Sequence, residues 1–311
     1  MSRNQTARRF VVTAVAVAAL LPCVIQVMAQ GPAPLGTPPD IEGLWLNDTM
    51  TPLVRPPGFA DQAFFTEAEA RDFEADYGRR TRARGGAVEL ELNSDEFEPG
   101  HLLSDLRTSL IVDPPDGKVP ALTPGAQRRA TMLAQHRTDH FADGPEDLNL
   151  SERCLLHLGG PPMMPMPQNN NVQIVQTSDH VMILNETNHE FRVIPLDGRP
   201  HLPSNVRQWK GDSRGRWDGN TLVVDTTNFT DQTTFNGSGT ALHVIERFTR
   251  VDDRTLRYAF TIDDPESFVT SWSAVTAMSK SAGPLFEFAC HEGDHSMENM
   301  LKGARFEGRA R

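Results

Sequence analysis

Residues 211–229, GDSRGRWDGNTLVVDTTNF, constrain the fold more than any other stretch of the 311-residue chain. At their centre, Asp218 and Gly219 form the dipeptide that best tolerates the positive φ angles of a tight hairpin turn. After the turn, Leu222, Val224 and Thr226 alternate with Thr221, Val223 and Asp225, which is the two-residue period of a pleated strand. The stretch therefore predicts two antiparallel strands joined by a hairpin.

Strand-like segments lie on both sides of this hairpin, which makes it the middle of a long antiparallel meander. Besides the hairpin, the predicted strands cover residues 41–46, 109–112, 172–176, 181–185, 190–196, 242–250, 255–262, 268–277 and 285–291. About eight to eleven strands are enough to close a barrel, and closure leaves no exposed sheet edge. The sequence therefore predicts a mainly β fold in which an antiparallel meander forms a barrel.

Two helices are predicted in the first half of the chain. Thr66 and Glu69 have the spacing of a capping box, and the helix that follows continues to a Gly-Gly pair at residues 85–86. Thr123 followed by Pro124 is typical of a second helix start. We expect a helical insertion at about residues 61–150, and a short helix at residues 296–303 that covers one end of the barrel.

The N-terminus has the pattern of a secretory signal peptide. Three arginines precede a mostly apolar run, and the small-residue rule predicts cleavage after Ala29. Sec-dependent secretion to the periplasm or the medium is the expectation, with Arg8 and Arg9 as a twin-arginine alternative. The predicted organisation has three parts: a signal peptide at residues 1–29, a Pro/Gly-rich leader at residues 30–40 and a single β-rich domain at residues 41–311.

The charge of the chain excludes two classes of partner. The net charge is −11, and removal of residues 1–29 with their three arginines and no acid takes it to −14. Nucleic acids and anionic membranes need clustered lysine and arginine side chains, and no long basic stripe remains. We therefore expect a small molecule as the partner, with no nucleic acid and no membrane span after signal cleavage.

Two cysteines remain after signal cleavage, because Cys23 leaves with the signal peptide. In an oxidising compartment, an isolated pair such as Cys154 and Cys290 favours a disulfide. The alternative is a metal site that shares these thiolates, which would need more soft ligands than the sequence offers nearby.

Residues 291–295 match the HExxH pattern, in which a helix places two histidines and a glutamate around a zinc ion. The local sequence argues against that arrangement, because residues 285–290 have a strand pattern and Gly293 weakens a helix. The simpler expectation is that a strand ends here and presents His291 and Glu292 at the mouth of the barrel.

Charged residues share strand faces with apolar residues, which suggests an acid–base site inside the barrel. Burial beside like charges raises the pKa of a carboxyl group and makes it a candidate acid or base near neutral pH. The predicted catalytic residues are His291, Glu292, Glu246 and Glu186, and the predicted substrate-binding residues are Arg192, Arg247, Trp217 and Met164. Three alternatives stay open. These are strand-end residues in water, or an arginine and a glutamate form a structural ion pair with no catalytic role. Otherwise the opposite strand faces, which carry His243, Arg247, Glu287 and His291, point inward instead.

The methionine-rich stretch at residues 159–171 allows a copper(I) hypothesis, because thioethers are soft ligands. The alternative is that flexible methionines line an apolar groove or fill a gap under a loop. No His or Cys cluster lies close to these methionines, so the prediction includes no metal ligands. The prediction also includes no cofactor, since the absence of a Walker loop disfavours nucleotide cofactors. The absence of a Gly-x-Ser-x-Gly elbow disfavours a serine hydrolase.

Three segments together resemble an uncharacterised family of secreted bacterial proteins: residues 107–117 (RTSLIVDPPDG), 211–229 and 289–294 (ACHEGD). The resemblance implies a signal peptide and a single β-rich domain, and it assigns no catalytic residue. In that family the position of His295 is commonly aromatic, which further disfavours zinc. Gly43-x-Trp45 is also similar to the start of lipocalin-like (calycin) barrels, in which the tryptophan plugs one end.

Three functions follow in order of preference. The first is a periplasmic enzyme without a cofactor that performs hydrolysis, elimination or isomerisation on a small, fairly apolar molecule. The second is a lipocalin-like protein that binds a small ligand without catalysis. The third is a protein that depends on zinc or copper.

Overall fold

The computed structural model describes residues 38–85, 100–157, 160–166, 169–233 and 235–308. All of them belong to one compact unit, Thr37–Arg311. The predicted signal peptide and most of the predicted leader lie outside the described residues.

Ten strands are formed within the described residues. They are β1 (Gly43–Leu46), β2 (Ile111–Asp113), β3 (Asn171–Gln176), β4 (His180–Asn185), β5 (Phe191–Pro195), β6 (Asp212–Asp218), β7 (Thr221–Thr227), β8 (His243–Arg250), β9 (Thr255–Asp263) and β10 (Trp272–Lys280). They pair antiparallel in the order β5-β4-β3-β1-β10-β9-β8-β7-β6, with β2 added on β10.

The two ends of this order, β5 and β6, lie side by side, so the sheet is a nearly closed barrel. Gly215 on β6 faces Ile194 on β5 so closely that a Cβ atom on the glycine would lie 2.8 Å from the Ile194 Cγ2 atom. We call this junction between β5 and β6, where the sheet is not hydrogen-bonded, the seam. The prediction of a mainly β antiparallel barrel is confirmed.

One end of the barrel is closed by Trp45. Its ring is fully buried, and its Nε1 atom donates a hydrogen bond of 2.9 Å to the carbonyl oxygen of Ile41. The Lys280 Nζ atom lies 4.6 Å and the Arg250 Cζ atom 5.8 Å from the ring centroid, within the range of cation–π attraction. These contacts close the end of the barrel at which β10 finishes.

In the part of the chain that the structure describes, three α-helices lie outside the barrel: α1 (Glu67–Gly85), α2 (Pro124–Asp139) and α3 (Ser296–Phe306). The capping box before α1 is formed, since Thr66 and Glu69 exchange hydrogen bonds through their side chains and backbone N–H groups. Thr123 caps α2 with Pro124 in its first turn. The predicted helical insertion and C-terminal helix are therefore confirmed, although α3 continues past Gly303. None of the described helices is long and apolar enough to cross a membrane.

The predicted strand at residues 285–291 is wrong, because this segment has no regular secondary structure. The segment follows β10, which is already paired with β9 on one edge and with β1 and β2 on the other. β10 therefore has no free edge with which residues 285–291 could pair as a strand. The segment is held by side chains instead: Phe286 N donates to Glu186 Oε1 at 3.1 Å, and Phe288 N donates to His189 Nε2 at 3.2 Å.

The predicted disulfide between Cys154 and Cys290 is confirmed, with the two sulfur atoms 2.02 Å apart and the cysteines 136 residues apart in sequence. It ties the C-terminal segment to the chain that precedes β3. The same region packs α3 against the loop after α2, where Ala304 meets Ala142 and Leu148 in a small apolar cluster.

Replacement of both cysteines (C154S/C290S) should lower the free energy of unfolding by up to about 4–5 kcal/mol, because the cross-link restricts a long loop of the unfolded chain. Guanidinium denaturation of the oxidised wild type and the double variant measures this difference. Addition of a reductant should lower wild-type stability to that of the variant, and a reductant-insensitive wild type would contradict the expectation.

Candidate functional site

The end of the barrel opposite Trp45 is covered by the methionine-rich loop. We call residues 160–166 and 169–170 the lid. A small cavity of about 10 Å³ lies beneath it, which is room for about one water molecule. Its lining combines thioether and amide side chains: Asn47, Met163, Met164, Met166, Asn169, Asn170, Asn171, Val172, Asn185 and Thr187. The rest of the interior is filled by the apolar core and by a small group of buried polar side chains.

An ion pair between Arg192 and Glu246 crosses the interior. Alternation along β8 places Glu246 between the buried residues Val244 and Phe248, and alternation along β5 buries Arg192 beside Ile194. The guanidinium is bidentate: Nη1 lies 2.5 Å from Oε2 and Nη2 lies 2.7 Å from Oε1. Burial opposes the charge of Arg192, but Glu246 outweighs this effect and raises its pKa.

Tyr258 connects the ion pair to the lid. Its hydroxyl donates a 2.8 Å hydrogen bond to Glu246 Oε1 and accepts a 2.9 Å hydrogen bond from the backbone N–H of Met163. Complete burial, followed by the nearby Glu246 charge, raises the pKa of Tyr258 well above its usual value. Tyr258 is therefore a neutral donor whose orientation is fixed at both ends.

A second ion pair lies near the first. Lys210 Nζ is 2.6 Å from Glu190 Oε2, and the other oxygen of Glu190 accepts a hydrogen bond from the backbone N–H of His157. Burial lowers the pKa of Lys210, although the Glu190 charge opposes this shift. Burial also lowers the pKa of His157, so its imidazole is neutral near pH 7.

Several buried polar atoms make no hydrogen bond in the described part of the chain. They include Arg192 Nε, Asn47 Oδ1, His157 Nδ1 and Thr276 Oγ1. Each unsatisfied buried group costs about 1–3 kcal/mol. Asn47 lines the lid cavity, Arg192 belongs to the interior ion pair, and Thr276 lies opposite Tyr258 on the neighbouring strand. His157 contacts the second ion pair through its backbone N–H group.

Glu186 is buried, and its position follows directly after β4. Its Oε2 atom accepts hydrogen bonds from the backbone and side-chain nitrogens of Asn171, at 3.1 and 3.0 Å, and Oε1 accepts one from Phe286 N. These contacts anchor the C-terminal segment to the open end of the barrel. The catalytic role of Glu186 stays a prediction.

His291 and Glu292 are exposed, in the irregular segment before α3. The HExxH residues are not on one helix, because Gly293 has a φ of +71° and α3 begins only at Ser296. Within the described residues, no group of three or more His, Cys, Asp and Glu side chains is arranged to hold a metal ion. The structure therefore does not bring His291 and Glu292 together with Glu246.

Apart from Arg192, the predicted substrate-binding residues lie in three separate places. Met164 lines the lid cavity. Trp217 faces inward but pairs with Leu222 beside the closing hairpin turn, away from the lid. Arg247 points outward, half exposed, with its Nη1 atom 3.5 Å from Asp218 Oδ2. Of the predicted site residues, the structure joins Arg192 to Glu246 and places Met164 in the lid above them.

Sequence reasoning missed Lys210, Glu190, Tyr258 and His157. Tyr258 had a usable signal, because it alternates with the apolar residues Leu256 and Phe260 and so shares their inward face. Lys210 had none, since it ends an irregular connection and reaches its partner only in the folded chain.

No protein-family model matches the chain, and no curated protein matches it either. Among solved structures, the chain is similar to a crystal structure of a mutant of the fluorescent protein UnaG, at 14% sequence identity and a TM-score of 0.23. The match covers 36% of this chain and 72% of that chain. At this level the likeness carries no functional inference, and the candidate site rests on its own geometry.

Removal of one partner of the interior ion pair should destabilise the protein far more than removal of both. Arg192→Met leaves the Glu246 carboxylate buried and unpaired, at a cost of about 3–5 kcal/mol, whereas R192M/E246M should cost clearly less. Urea denaturation of the two variants checks this, with exposed Arg257→Met as a control within about 0.5 kcal/mol of wild type. Equal losses in the single and double variants would contradict the expectation.

Proposed function

We propose that the protein binds a small amphipathic molecule at the open end of the barrel, beneath the lid. The observation that carries the proposal is the chain of contacts from Arg192 through Glu246 and Tyr258 to the backbone of Met163. This chain of contacts links the lid to the charged interior. The opposite end is closed by Trp45, which leaves the lid as the route of entry.

The chemistry of the site favours a ligand with a carboxylate. Arg192 and Lys210 each bind a glutamate, and Arg192 Nε has no partner among the described residues. A ligand carboxylate can accept a charge-assisted hydrogen bond from Arg192 Nε while both glutamates keep their cations, so that neither glutamate is left buried and unpaired. The apolar part of the ligand would contact the methionines of the lid.

Met163 is the side chain that a ligand would displace. It is 1% exposed and packs into the barrel core, although it belongs to an irregular loop. An unbranched thioether repacks more easily than a branched aliphatic side chain. The lid can therefore move Met163 out of the mouth and contact the ligand with the same residue.

Benzoate and octanoate should raise the melting temperature, and benzyl alcohol and octanol should raise it less. At about a hundred times Kd, a carboxylate stabilises by about 2.7 kcal/mol, equivalent to about 5–10 °C. Differential scanning fluorimetry checks this, together with native mass spectrometry of the purified protein for a ligand that co-purifies.

The matched variants are R192M/E246M and the exposed control Arg257→Met. The first should lose the preference for the carboxylate over the alcohol, and the second should keep it. Identical melting-temperature shifts for the acids and the alcohols in the wild type would refute the carboxylate assignment. The binding proposal itself would be refuted if none of the four compounds shifted the melting temperature and no ligand co-purified.

An acid–base enzyme is the second candidate. Burial lowers the pKa values of Lys210 and His157, which increases the unprotonated fraction of each side chain that can accept a proton. Roles for His291, Glu292, Glu246 and Glu186 in such chemistry remain predictions. Recovery of the co-purified molecule unchanged after prolonged incubation favours binding, and its conversion favours the enzyme.

We also propose export from the cytoplasm, supported by the disulfide and by the signal-like residues 1–29. Expression of the full chain in a bacterial host should yield periplasmic protein whose N-terminus is Gln30, measured by intact mass. Replacement of Arg8 and Arg9 by lysine should leave export unchanged if the Sec route is used. Cytoplasmic protein that retains Met1 would refute the proposal.

A further inference from the structure

A cluster of histidine and aspartate side chains lies on the outer face of the barrel, apart from the site under the lid. It involves residues 196–211, which connect β5 to β6 and thus span the seam. We call residues 196–211 the seam loop. Most of its residues are exposed, but His201 is half-buried between two aspartates.

Both ring nitrogens of His201 face carboxylates. Nδ1 lies 3.0 Å from Asp212 Oδ2, at the start of β6, and Nε2 lies 2.9 Å from Asp225 Oδ1 on β7. A neutral imidazole has one N–H and can donate to only one of these oxygens, whereas the imidazolium donates to both. The geometry therefore fits a protonated His201 that bridges two strands.

The surrounding charges complete this arrangement. On β6, Arg214 Nη1 lies 2.6 Å from the second oxygen of Asp212. On β8, His243 Nε2 lies 3.0 Å from the second oxygen of Asp225, and Asp263 on β9 faces His243. Within the seam loop itself, Asp197 and Arg199 pair with each other at the surface, and Arg207 Nη1 donates to the carbonyl oxygens of Phe229 and Thr240. Lys210 pairs with Glu190.

The pKa shifts agree in sign with a charged cluster. The hydrogen bond from His243, opposed by burial, lowers the pKa of Asp225. The same hydrogen bond, again opposed by burial, raises the pKa of His243 above its usual value of 6.5. The His243 contribution is present at low pH and is lost as the pH rises through its raised pKa, whereas the contribution of Asp225, whose pKa is lowered, is lost only in strong acid.

We propose that His201 is a positioning residue: in its protonated form it holds the seam loop against β6 and β7 and so fixes Lys210 beside Glu190. Lys210 and Asp212, the partner of His201, are two residues apart in the chain. A contact between Lys210 and a ligand rests on the proposed function. The pH-dependent attachment of the seam loop to β6 and β7 does not rest on it.

Other contacts tie the seam loop and limit how far it can move. Leu202 N donates to Asp212, Arg214 Nε donates to the Pro200 carbonyl oxygen, and Gln208 N donates to the Asn228 carbonyl oxygen. Loss of the His201 bridge therefore loosens the loop and leaves the barrel strands intact.

Hydrogen–deuterium exchange of the full protein at about pH 5.5 and 8.5 tests the hold on the loop, since these values bracket histidine titration. After correction for intrinsic rates, amides of residues 199–207 should exchange about tenfold faster, relative to the barrel strands, at the higher pH, as expected for loss of one charged hydrogen bond. In His201→Gln they should exchange fast at both pH values. His180→Gln, which removes a histidine paired with Asp179 outside the seam loop, should behave like the wild type.

A second readout tests the positioning of Lys210. Acetylation by an N-hydroxysuccinimide ester at one pH near 6, followed by peptide mass spectrometry, gives the labelling of Lys210 relative to exposed Lys302. This ratio should rise severalfold in His201→Gln and stay unchanged in His180→Gln.

Two exchange results would overturn the proposal. In the first, exchange in the seam loop of the wild type does not depend on pH. In the second, wild type and His201→Gln exchange equally fast at pH 5.5. Fast exchange in His201→Gln with an unchanged Lys210 labelling ratio also overturns it, because the loop then does not position Lys210. Neither readout uses a ligand, so failure of the carboxylate-binding experiment leaves these outcomes interpretable.

Discussion

The Glu246 carboxylate lies in the centre of the barrel with no exposure to solvent, and its counter-charge must come from another strand. Arg192 supplies it from β5, which stands at one end of the sheet order, whereas β8 stands near the other end. The two side chains therefore meet only when the sheet curls round on itself. β5 and β6 are not joined by a hydrogen-bonded ladder at the seam. The ion pair therefore connects the two ends of the sheet across the interior, through Arg192 on β5 and Glu246 on β8.

A buried ion pair contributes little net stability, because the cost of desolvating two charges offsets their attraction. Its larger effect is on the register in which the barrel closes, because closure in a wrong register would leave Arg192 or Glu246 buried without its partner. The pair is also linked to the outside. Tyr258 transmits its position to the backbone of Met163, so the charged interior and the lid form one hydrogen-bonded unit. This coupling gives the open end of the barrel its chemistry, while the Trp45 end is closed by packing and cation–π contacts.

The remaining tertiary contacts surround this unit. The disulfide and Glu186 together hold the C-terminal segment across the open end, since both Cys290 and Phe286 belong to that segment. At the seam, His201 of the seam loop contacts Asp212 and Asp225. The seam loop also contains Lys210. The open end is thus bounded by segments that the fold keeps in place with polar contacts, which respond to charge and redox state more readily than apolar packing does.

The sequence alone determined the local structure. Alternating apolar residues identified almost every strand, the Thr66 and Thr123 caps located two helices, and the isolated pair Cys154 and Cys290 identified the disulfide. Such features depend on neighbouring residues or on elimination, so they can be recognised without the fold. The exception was residues 285–291, whose strand pattern was real but found no free sheet edge on β10.

Only the tertiary structure decided which side chains meet. Alternation indicated that Glu246 and Arg192 share faces with apolar residues, but their pairing depends on the closure of the barrel and on the tilt of its strands. The partners of Lys210 and His201 depend on the path of an irregular loop across the seam, which has no periodic pattern. Contacts between distant residues are set by how the whole sheet closes, and no local stretch of the chain encodes that closure.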